Sequence, residues 1–251
     1  MEIVREKTRR LTDLIGNSSA ILLFTGAGIS PESGIADFRS PGGIWSKIKP
    51  IQFSAFVADP QVRLEDWQRR FHFKAEFDKA LPNEGHRAVT DIVNGDSGLA
   101  VITQNIDGLH QRSGIRDSEI IEIHGNGTKA ACLDCEAPMT LDRAKQVVEN
   151  TGVAPVCERC GGIVKACVVS FGQPMPADKM LQAEQLSLAC DLFVVLGSSL
   201  VVQPAATLPV VACNNGARLV IVNREPTPLD SIAELVIHAP IGETMRSTLL
   251  P

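Results

Sequence analysis

Four cysteines in two closely spaced pairs form the clearest chemical pattern in this sequence. Cys132 and Cys135 make one Cys-x-x-Cys pair, and Cys157 and Cys160 make a second, with 21 residues between the pairs. Two such pairs supply four thiolates for a tetrahedral zinc ion. Because four protein ligands leave no open position on the metal, we predict one structural zinc ion. Redox disulfides are the competing interpretation.

A second chemical pattern is a glycine turn that follows a short apolar run. Ile21–Phe24 is expected to be a buried strand, and it stops at Gly26-Ala27-Gly28, a sequence that can turn tightly and leave backbone N–H groups bare for a phosphate. Pro31 stands where the dinucleotide fingerprint has its third glycine. Taken alone, the motif is equally compatible with an ordinary tight turn, but the polar loop that follows favours a ligand site.

Amide, carboxylate and imidazole groups follow two further apolar runs. Gln104, Asn105 and Asp107 come directly after 99–103, and His124 follows 120–123. In open α/β sheets, residues at the carboxyl ends of parallel strands bind ligands. A lone histidine in such a place is more often structural than catalytic, and we interpret His86 and His110 as structural hydrogen-bonding residues.

These groups must be positioned by a sheet, and the spacing of the apolar runs predicts its kind. Further runs of about five residues occur at 192–196, 218–222 and 235–237, each followed by small or polar residues. The repetition predicts an α/β fold, with a Rossmann-like parallel sheet and helices on both faces. Helices are expected at 2–16 and 84–94. The aromatic-rich stretch 51–77 is interpreted as helical core packing, with a mobile apolar lid as the alternative.

Composition limits the classes of function. The chain has 251 residues and a net charge of −5 without a basic block, so nucleic-acid binding is not expected. No apolar run reaches the roughly 18 residues that span a bilayer, and the charged N-terminus is unlike a signal peptide. Seven cysteines argue against a disulfide framework, and Cys167, Cys190 and Cys213 are expected to be buried small hydrophobes. We predict a cytoplasmic protein.

The chain resembles the sirtuins in motifs that follow one another in the same order from about Leu22 to Ile241. These are Gly26-Ala27-Gly28-Ile29-Ser30, Gly34-Ile35-Ala36-Asp37-Phe38-Arg39, Thr103-Gln104-Asn105-Ile106-Asp107, His124-Gly125, the two Cys-x-x-Cys pairs, Val168-Val169-Ser170-Phe171-Gly172 and Gly197-Ser198-Ser199-Leu200. The resemblance implies one catalytic domain, 1–251, that uses NAD to deacylate protein lysines. Its Rossmann-like part would comprise about 1–39, 84–125 and 168–251. A smaller domain would be formed by a helical insert, about 40–83, and a zinc-binding insert, about 126–167.

The resemblance also implies roles for individual residues. Val169, Phe171 and Gly172 would bind an acyl-lysine protein or peptide as an added strand. Asn105 and Asp107 would act where nicotinamide leaves, and His124 would be the general base that takes a proton from a ribose hydroxyl, a task that suits a pKa near 6.5. The residues implied to bind NAD are Gly26, Ala27, Gly28, Asp37, Phe38, Arg39, Trp45, Gln104, Asn105, Asp107, Gly197, Ser198, Ser199, Asn223 and Ile241.

Several positions depart from the family pattern. Ala36 and Ala166 replace usual prolines, and Gln173 replaces a glutamate beside the expected substrate cleft. The chain contains no tyrosine, so the Tyr-x-x-Arg pair that some sirtuins use for succinyl or malonyl groups is absent. Arg69 and Arg70 lie in the matching helix, but neutral acyl groups, acetyl first, are expected.

Two alternatives use the same pocket. One is ADP-ribosyl transfer to protein or NAD hydrolysis, which needs no acyl-lysine. The other is a non-catalytic NAD-sensing module, for which the retention of His124, Asn105 and Asp107 is unexpected. The sequence leaves the oligomeric state open.

Overall fold

A computed structural model describes residues 2–37 and 43–249 of the chain, without the side chains of Trp45, Lys47 and Leu249. The described strands are β1 (Ile21–Thr25), β2 (Gly98–Thr103), β3 (Ile120–Glu122), β4 (Gly125–Cys132), β5 (Pro138–Met139), β6 (Val164–Val168), β7 (Leu192–Leu196), β8 (Arg218–Val222) and β9 (Leu235–Ile237). The described α-helices are α1 (Glu2–Gly16), α2 (Ile44–Lys47), α3 (Phe53–Ala58), α4 (Pro60–Lys79), α5 (Glu84–Val93), α6 (Leu109–Arg112), α7 (Leu141–Thr151), α8 (Ala177–Ala189), α9 (Leu208–Asn214) and α10 (Ile241–Leu249).

Six strands form one parallel sheet in the order β3-β2-β1-β7-β8-β9. The order reverses between β1 and β7, as it does in Rossmann-type sheets, and ligands bind beyond the carboxyl ends of the strands at such a reversal. The predicted fold class is confirmed. The strands also match the predicted apolar runs to within a residue at either end.

The sheet is buried on both faces because its strands are apolar at almost every position before their ends. Neighbouring side chains of a strand point to opposite faces. In β1, Ile21 and Leu23 join a core cluster with residues of α1, α5 and α10, whereas Leu22 and Phe24 join a second cluster with residues of α8 and α9. This two-sided packing fixes the strand ends, and therefore the polar residues that follow them, in place.

The inserts build a smaller part around a second sheet. In it β4 pairs with β5 and β6, antiparallel in both cases. Trp67 of α4 is fully buried and packs with Cys132, Cys157 and Val164 in one cluster. Phe56 and Phe77 are buried as well, so the interpretation of the aromatic stretch as helical core packing is confirmed for these residues.

The expectation for the three remaining cysteines is only partly correct. Cys190 is buried and Cys213 is half-buried, but Cys167 is exposed, contrary to the prediction. Cys167 lies in β6 between the buried residues Ala166 and Val168. Since alternate side chains of a strand face opposite ways, its apolar neighbours turn it toward solvent. Over the part of the chain that the structure describes, no helix combines the length and the apolar character that a bilayer crossing requires.

Candidate active site

One cavity of about 1210 Å³ lies at the carboxyl edge of the parallel sheet. Its lining comes from the turns after β1, β2, β7 and β8 and from the segment 168–177 after β6. The predicted site residues that it brings together are Gly26, Ala27, Gly28, Asp37, Gln104, Asn105, His124, Val169, Phe171, Gly172, Gly197, Ser198, Ser199, Asn223 and Ile241. Its volume exceeds the ~300–1000 Å³ of a typical small-ligand pocket, so there is room for more than one substrate.

Three predicted site residues fall wholly or partly outside the described residues, and a fourth lines a different cavity. Phe38 and Arg39 lie outside the described residues, and so does the side chain of Trp45. Asp107 lines a smaller adjoining cavity of about 60 Å³ rather than the large one. The two cavities share Ala27 and Asn105 in their walls, so Asp107 lies one layer behind the main chamber.

The glycine turn packs directly against the turn after β7. Gly26 N–H donates to the carbonyl of Leu196 at 3.0 Å, and Gly28 N–H donates to that of Gly197 at 2.8 Å. A Cβ atom on Gly197, whose φ is +70°, would lie 2.5 Å from the backbone of Gly28. The expectation of bare N–H groups at Gly26 and Gly28 is therefore wrong. Their lack of side chains instead lets two turns meet backbone to backbone and opens the chamber above them.

Asn105 and Asp107 are held by Ser30, which sequence reasoning did not include among the site residues. Asn105 Nδ2 donates to the carbonyl of Gly26 at 3.1 Å and to Ser30 Oγ at 3.3 Å. Ser30 Oγ donates in turn to Asp107 Oδ2 at 2.8 Å, and Leu109 N–H donates to Asp107 Oδ1 at 3.0 Å. Burial raises the pKa of Asp107. The position of Ser30 directly after Gly-Ala-Gly-Ile was the available signal for its role.

A buried hydrogen-bond chain fixes the start of the Asn105 turn. His110 Nε2 lies 2.8 Å from Thr25 Oγ1, which donates to Thr103 Oγ1 at 2.8 Å; Thr103 Oγ1 also accepts the N–H of Asn105 at 3.0 Å. Burial lowers the pKa of His110 to about 3 and that of neighbouring His86 to about 4, so both rings are neutral. Neutral His110 donates from Nε2 to Thr25 Oγ1, which agrees with its interpretation as a structural hydrogen-bonding residue. Gln104 is fixed separately, by donating from Nε2 to Ser198 Oγ at 2.7 Å.

His124 occupies the turn between β3 and β4 and lines the large cavity. Its Nδ1 lies 3.1 Å from the carbonyl oxygen of Gln104. A carbonyl can only accept, so Nδ1 carries the hydrogen and the neutral ring has its basic lone pair on Nε2. The next residue, Gly125, allows the backbone of β6 to approach closely. Its φ is +77°, and a Cβ atom there would lie 2.0 Å from the carbonyl oxygen of Cys167. The imidazole is oriented by its hydrogen bond to Gln104 and is half-buried at the cavity wall.

The segment after β6 runs along the cavity beside His124. Val169 N–H donates to the carbonyl of His124 at 2.9 Å, which ties this segment to the histidine turn. Phe53 N–H of α3 donates to the carbonyl of Phe171 at 2.8 Å, which ties it to the helical insert. The segment therefore spans both parts of the protein.

The four cysteines of the two pairs meet at one point. Their Sγ atoms all lie within 4.8 Å of one another, with Cys132–Cys160 at 3.5 Å, Cys135–Cys157 at 3.6 Å and Cys135–Cys160 at 3.4 Å. Sulfurs at ~2.3 Å from a tetrahedral zinc ion would be ~3.8 Å apart, whereas a disulfide needs about 2.05 Å. Backbone N–H groups of Cys160 and Arg159 lower the pKa of Cys157 to about 7. The set fits zinc, and it does not fit disulfides.

Comparison with known proteins agrees with this geometry. The sequence model described as the Sir2 family matches residues 26–204. An NAD-dependent protein deacetylase from Rhodopseudomonas palustris is 51% identical over 236 residues, which cover 94% of this chain and 93% of that protein. A solved Sir2 variant with a deacetylated p53 peptide and 3′-O-acetyl ADP-ribose matches with a TM-score of 0.87 and 36% identity, over 96% of this chain and 97% of that one. Sir2Tm bound to a propionylated peptide matches with a TM-score of 0.85 and 35% identity, over 95% of each chain.

Proposed function

The chain belongs to the Sir2 family, and on that premise we propose that it is an NAD-dependent protein-lysine deacylase. It transfers an acyl group from lysine to ADP-ribose and releases nicotinamide. The observation that carries the proposal is the position of His124: oriented by the carbonyl of Gln104, it lines one cavity together with the glycine turn and the 168–172 segment. A base beside both substrate sites is what acyl transfer from one to the other requires.

The residues around His124 have separate roles in binding NAD and in proton transfer. NAD supplies the ribose carbon that accepts the acyl oxygen when nicotinamide leaves. Gln104, Asn105 and Asp107 hold that end of the cofactor, and the Ser30 hydrogen bonds keep Asn105 and Asp107 in register. His124 Nε2 would take the proton of the ribose hydroxyl that attacks the acyl carbon and return it to the lysine nitrogen as the carbon–nitrogen bond breaks. A water molecule then supplies the remaining oxygen of the O-acyl product.

The other end of NAD is assigned to the far side of the cavity. Gly197, Ser198 and Ser199 face the phosphates and ribose, while Asn223 and Ile241 border the adenosine. Gly26, Ala27, Gly28 and Asp37, with Phe38, Arg39 and Trp45, complete the cofactor site. We further propose the part boundaries given above and a cytoplasmic location, which the seven free thiols support. Cys132, Cys135, Cys157 and Cys160 hold one structural zinc ion.

Peptide binding is assigned to the edge of the 168–172 segment. Val169, Phe171 and Gly172 present backbone and side chains to an extended acyl-lysine peptide. Both of the ties described above, to His124 and to Phe53, hold this edge at a fixed distance from the base. The peptide's acyl-lysine then enters the cavity between the two parts of the protein.

Product analysis tests the reaction. NAD and an acetyl-lysine peptide are expected to give nicotinamide, O-acetyl-ADP-ribose and deacetylated peptide in equal amounts, measured by mass spectrometry over time. Release of nicotinamide with no loss of acetyl from any peptide would instead indicate ADP-ribosyl transfer or NAD hydrolysis. Binding of NAD without turnover would leave a non-catalytic module.

The acyl preference follows from an ion pair at the inner wall. Arg70 lines both cavities, and its guanidinium donates to both oxygens of Asp66, each at 3.3 Å. The two side chains are 15% and 7% exposed. Because Asp66 already neutralises Arg70, an acidic acyl group would enter without a counter-charge, and desolvation would oppose it. A neutral acyl group meets no such cost.

We expect kcat/KM for a succinyl-lysine peptide to be at least about a hundredfold below that for the acetyl-lysine peptide. Asp66→Asn removes the counter-charge of Arg70. It is expected to reduce the ratio of kcat/KM for the acetyl-lysine peptide to that for the succinyl-lysine peptide at least about fivefold. Asp78→Asn is the matched control, because Asp78 pairs with Lys74 on the same helix and neither residue lines either cavity. A ratio that is unchanged by Asp66→Asn, or changed equally by both variants, would contradict the assignment.

A further inference from the structure

The peptide groove of this protein has walls without charge. Two segments that line the large cavity supply these walls: 168–177 at the end of β6, and 202–204, which follow the β7 turn assigned to NAD. The sequence contains no Asp, Glu, Lys or Arg from 168 to 177 or from 192 to 217. The second of these runs begins in the buried strand β7, where the absence of charge reflects core packing. Its cavity-lining part, 202–204, and the segment 168–177 offer a substrate an uncharged lining.

Several side chains that line this groove are large and apolar, and Phe171 and Pro204 are exposed. Phe171, which is 42% exposed, and Met175 lie on one wall, and Val202 and Pro204 lie on the other. Met180 of α8 also lines the cavity, and both methionines pack with one side against the second core cluster. Methionine side chains adapt to differently shaped apolar partners. The groove thus offers hydrophobic area to whatever backbone lies along it.

The position where the family pattern has a charge carries a neutral side chain that is used within its own turn. Gln173 replaces the glutamate of the family pattern, and its Oε1 accepts the N–H of Ser170 at 3.1 Å. Gln173 N–H donates to the carbonyl of Ser170 at 3.0 Å, so the side chain closes the turn that carries Gly172 at φ +78°. The amide is used within the turn, and the groove keeps its neutral character there.

The charged groups that line the cavity within the described residues belong to its other regions. Arg224 and Glu225 follow Asn223 at the adenosine end, Asp37 belongs to the cofactor loop, and Arg70 is paired with Asp66. A charged side chain placed in the groove would lose water without gaining a partner, which costs free energy. An apolar side chain would bury apolar surface there, which favours binding.

We propose that this enzyme selects acyl-lysine sites flanked by apolar residues, such as Leu, Met or Phe, and discriminates against sites flanked by charged residues of either sign. The inference rests on the proposed deacylase function, because it assigns the groove to residues next to the acyl-lysine. It names the class of substrate segment that the site takes. The occupant is an extended, apolar peptide stretch continuous with the 168–172 edge.

The test compares three acetyl-lysine peptides that differ only in the residues on both sides of the lysine: Leu, Glu or Lys. The Leu-flanked peptide is expected to have a kcat/KM about tenfold or more above both charged peptides, mainly through KM. Equal values within about twofold, or a preference for either charge, would overturn the inference and leave the deacylase function intact. Failure to deacetylate any of the three would overturn both.

Charge introduced into the groove gives a second readout. Gln203 lines the cavity and is exposed, so its substitution disturbs no packing. Gln203→Lys is expected to raise kcat/KM for the Glu-flanked peptide relative to the Lys-flanked one, and Gln203→Glu is expected to do the reverse, about threefold or more in each case. Leu188→Lys, at an exposed position of α8 outside the cavity, is the control. If the Gln203 variants change the ratio of the two kcat/KM values no more than Leu188→Lys does, the flanking residues bind elsewhere and the inference is overturned.

Discussion

Replacing His124 with alanine is expected to lower kcat for deacylation by about a thousandfold while changing the Kd for NAD less than about threefold. General-base catalysis contributes about 10²–10⁴ in rate. The imidazole makes its hydrogen bond from Nδ1 to the backbone of Gln104, so its loss removes the base without removing a side chain that holds the cofactor. Single-turnover deacylation and equilibrium NAD binding measure the two quantities separately.

A second substitution separates chemistry from structure at this position. His124→Asn keeps an N–H donor for the Gln104 carbonyl but has no basic nitrogen, so we expect the same loss of kcat as for alanine. His72→Ala, at a position that is 73% exposed on α4, should leave kcat unchanged. Activity of His124→Asn within about fivefold of the unmodified enzyme would remove His124 from the role of base and leave it a positioning residue.

The elements of this fold could be predicted because their signals are local. Each buried strand is a continuous apolar run of about five residues, and α1 and α5 have clear starts and stops. The cysteine pairs likewise give their ligand set by spacing alone. Because contiguous residues carry these signals, the strand ends and the metal cluster lie where the sequence places them.

The errors arose where two distant segments meet. The donors of Gly26 and Gly28 are used by the turn after β7, some 170 residues away, and no local pattern shows that contact. The exposure of Cys167 depends on which face of β6 is covered, and the sequence around it is apolar on both sides. Ser30 escaped notice for the same reason, because it acts through Asn105 and Asp107. The Asp66–Arg70 pair is local, at i,i+4 within α4, and only its burial beside the cavity depends on the fold.

The zinc site also depends on that long-range assembly, since it lies at the far end of the strands that carry the active site. β4 begins at Gly125, directly after His124, and ends at Cys132, while β6 leads from the second cysteine pair into the 168–172 segment. The two strands pair with each other, Gly125 opposite Val168. Whatever holds the cysteine ends of these strands together therefore also holds the base beside the peptide edge.

Cys132→Ala is consequently expected to lower both stability and activity. A structural zinc site contributes about 10–16 kcal/mol in small zinc-binding peptides, comparable to the whole ~5–15 kcal/mol stability of a domain. Cys132 is 3% exposed and packs with Trp67 and Val164, so loss of the metal also opens an apolar cluster. We expect zinc content to fall from about one ion per chain to below about 0.1, with a fall in melting temperature of about 10 °C or more and loss of deacylation.

Cys213→Ala provides the matched control, because Cys213 is half-buried and lies outside the metal cluster. It should keep zinc content and activity. Zinc content by elemental analysis, thermal melting and deacylation rate are measured on both variants. Fully active, metal-free protein would contradict a structural zinc ion. Loss of zinc with unchanged melting temperature but reduced activity would instead mean that the metal acts only by aligning β4 with β6, and a chelator would then reproduce the loss of activity without unfolding the chain.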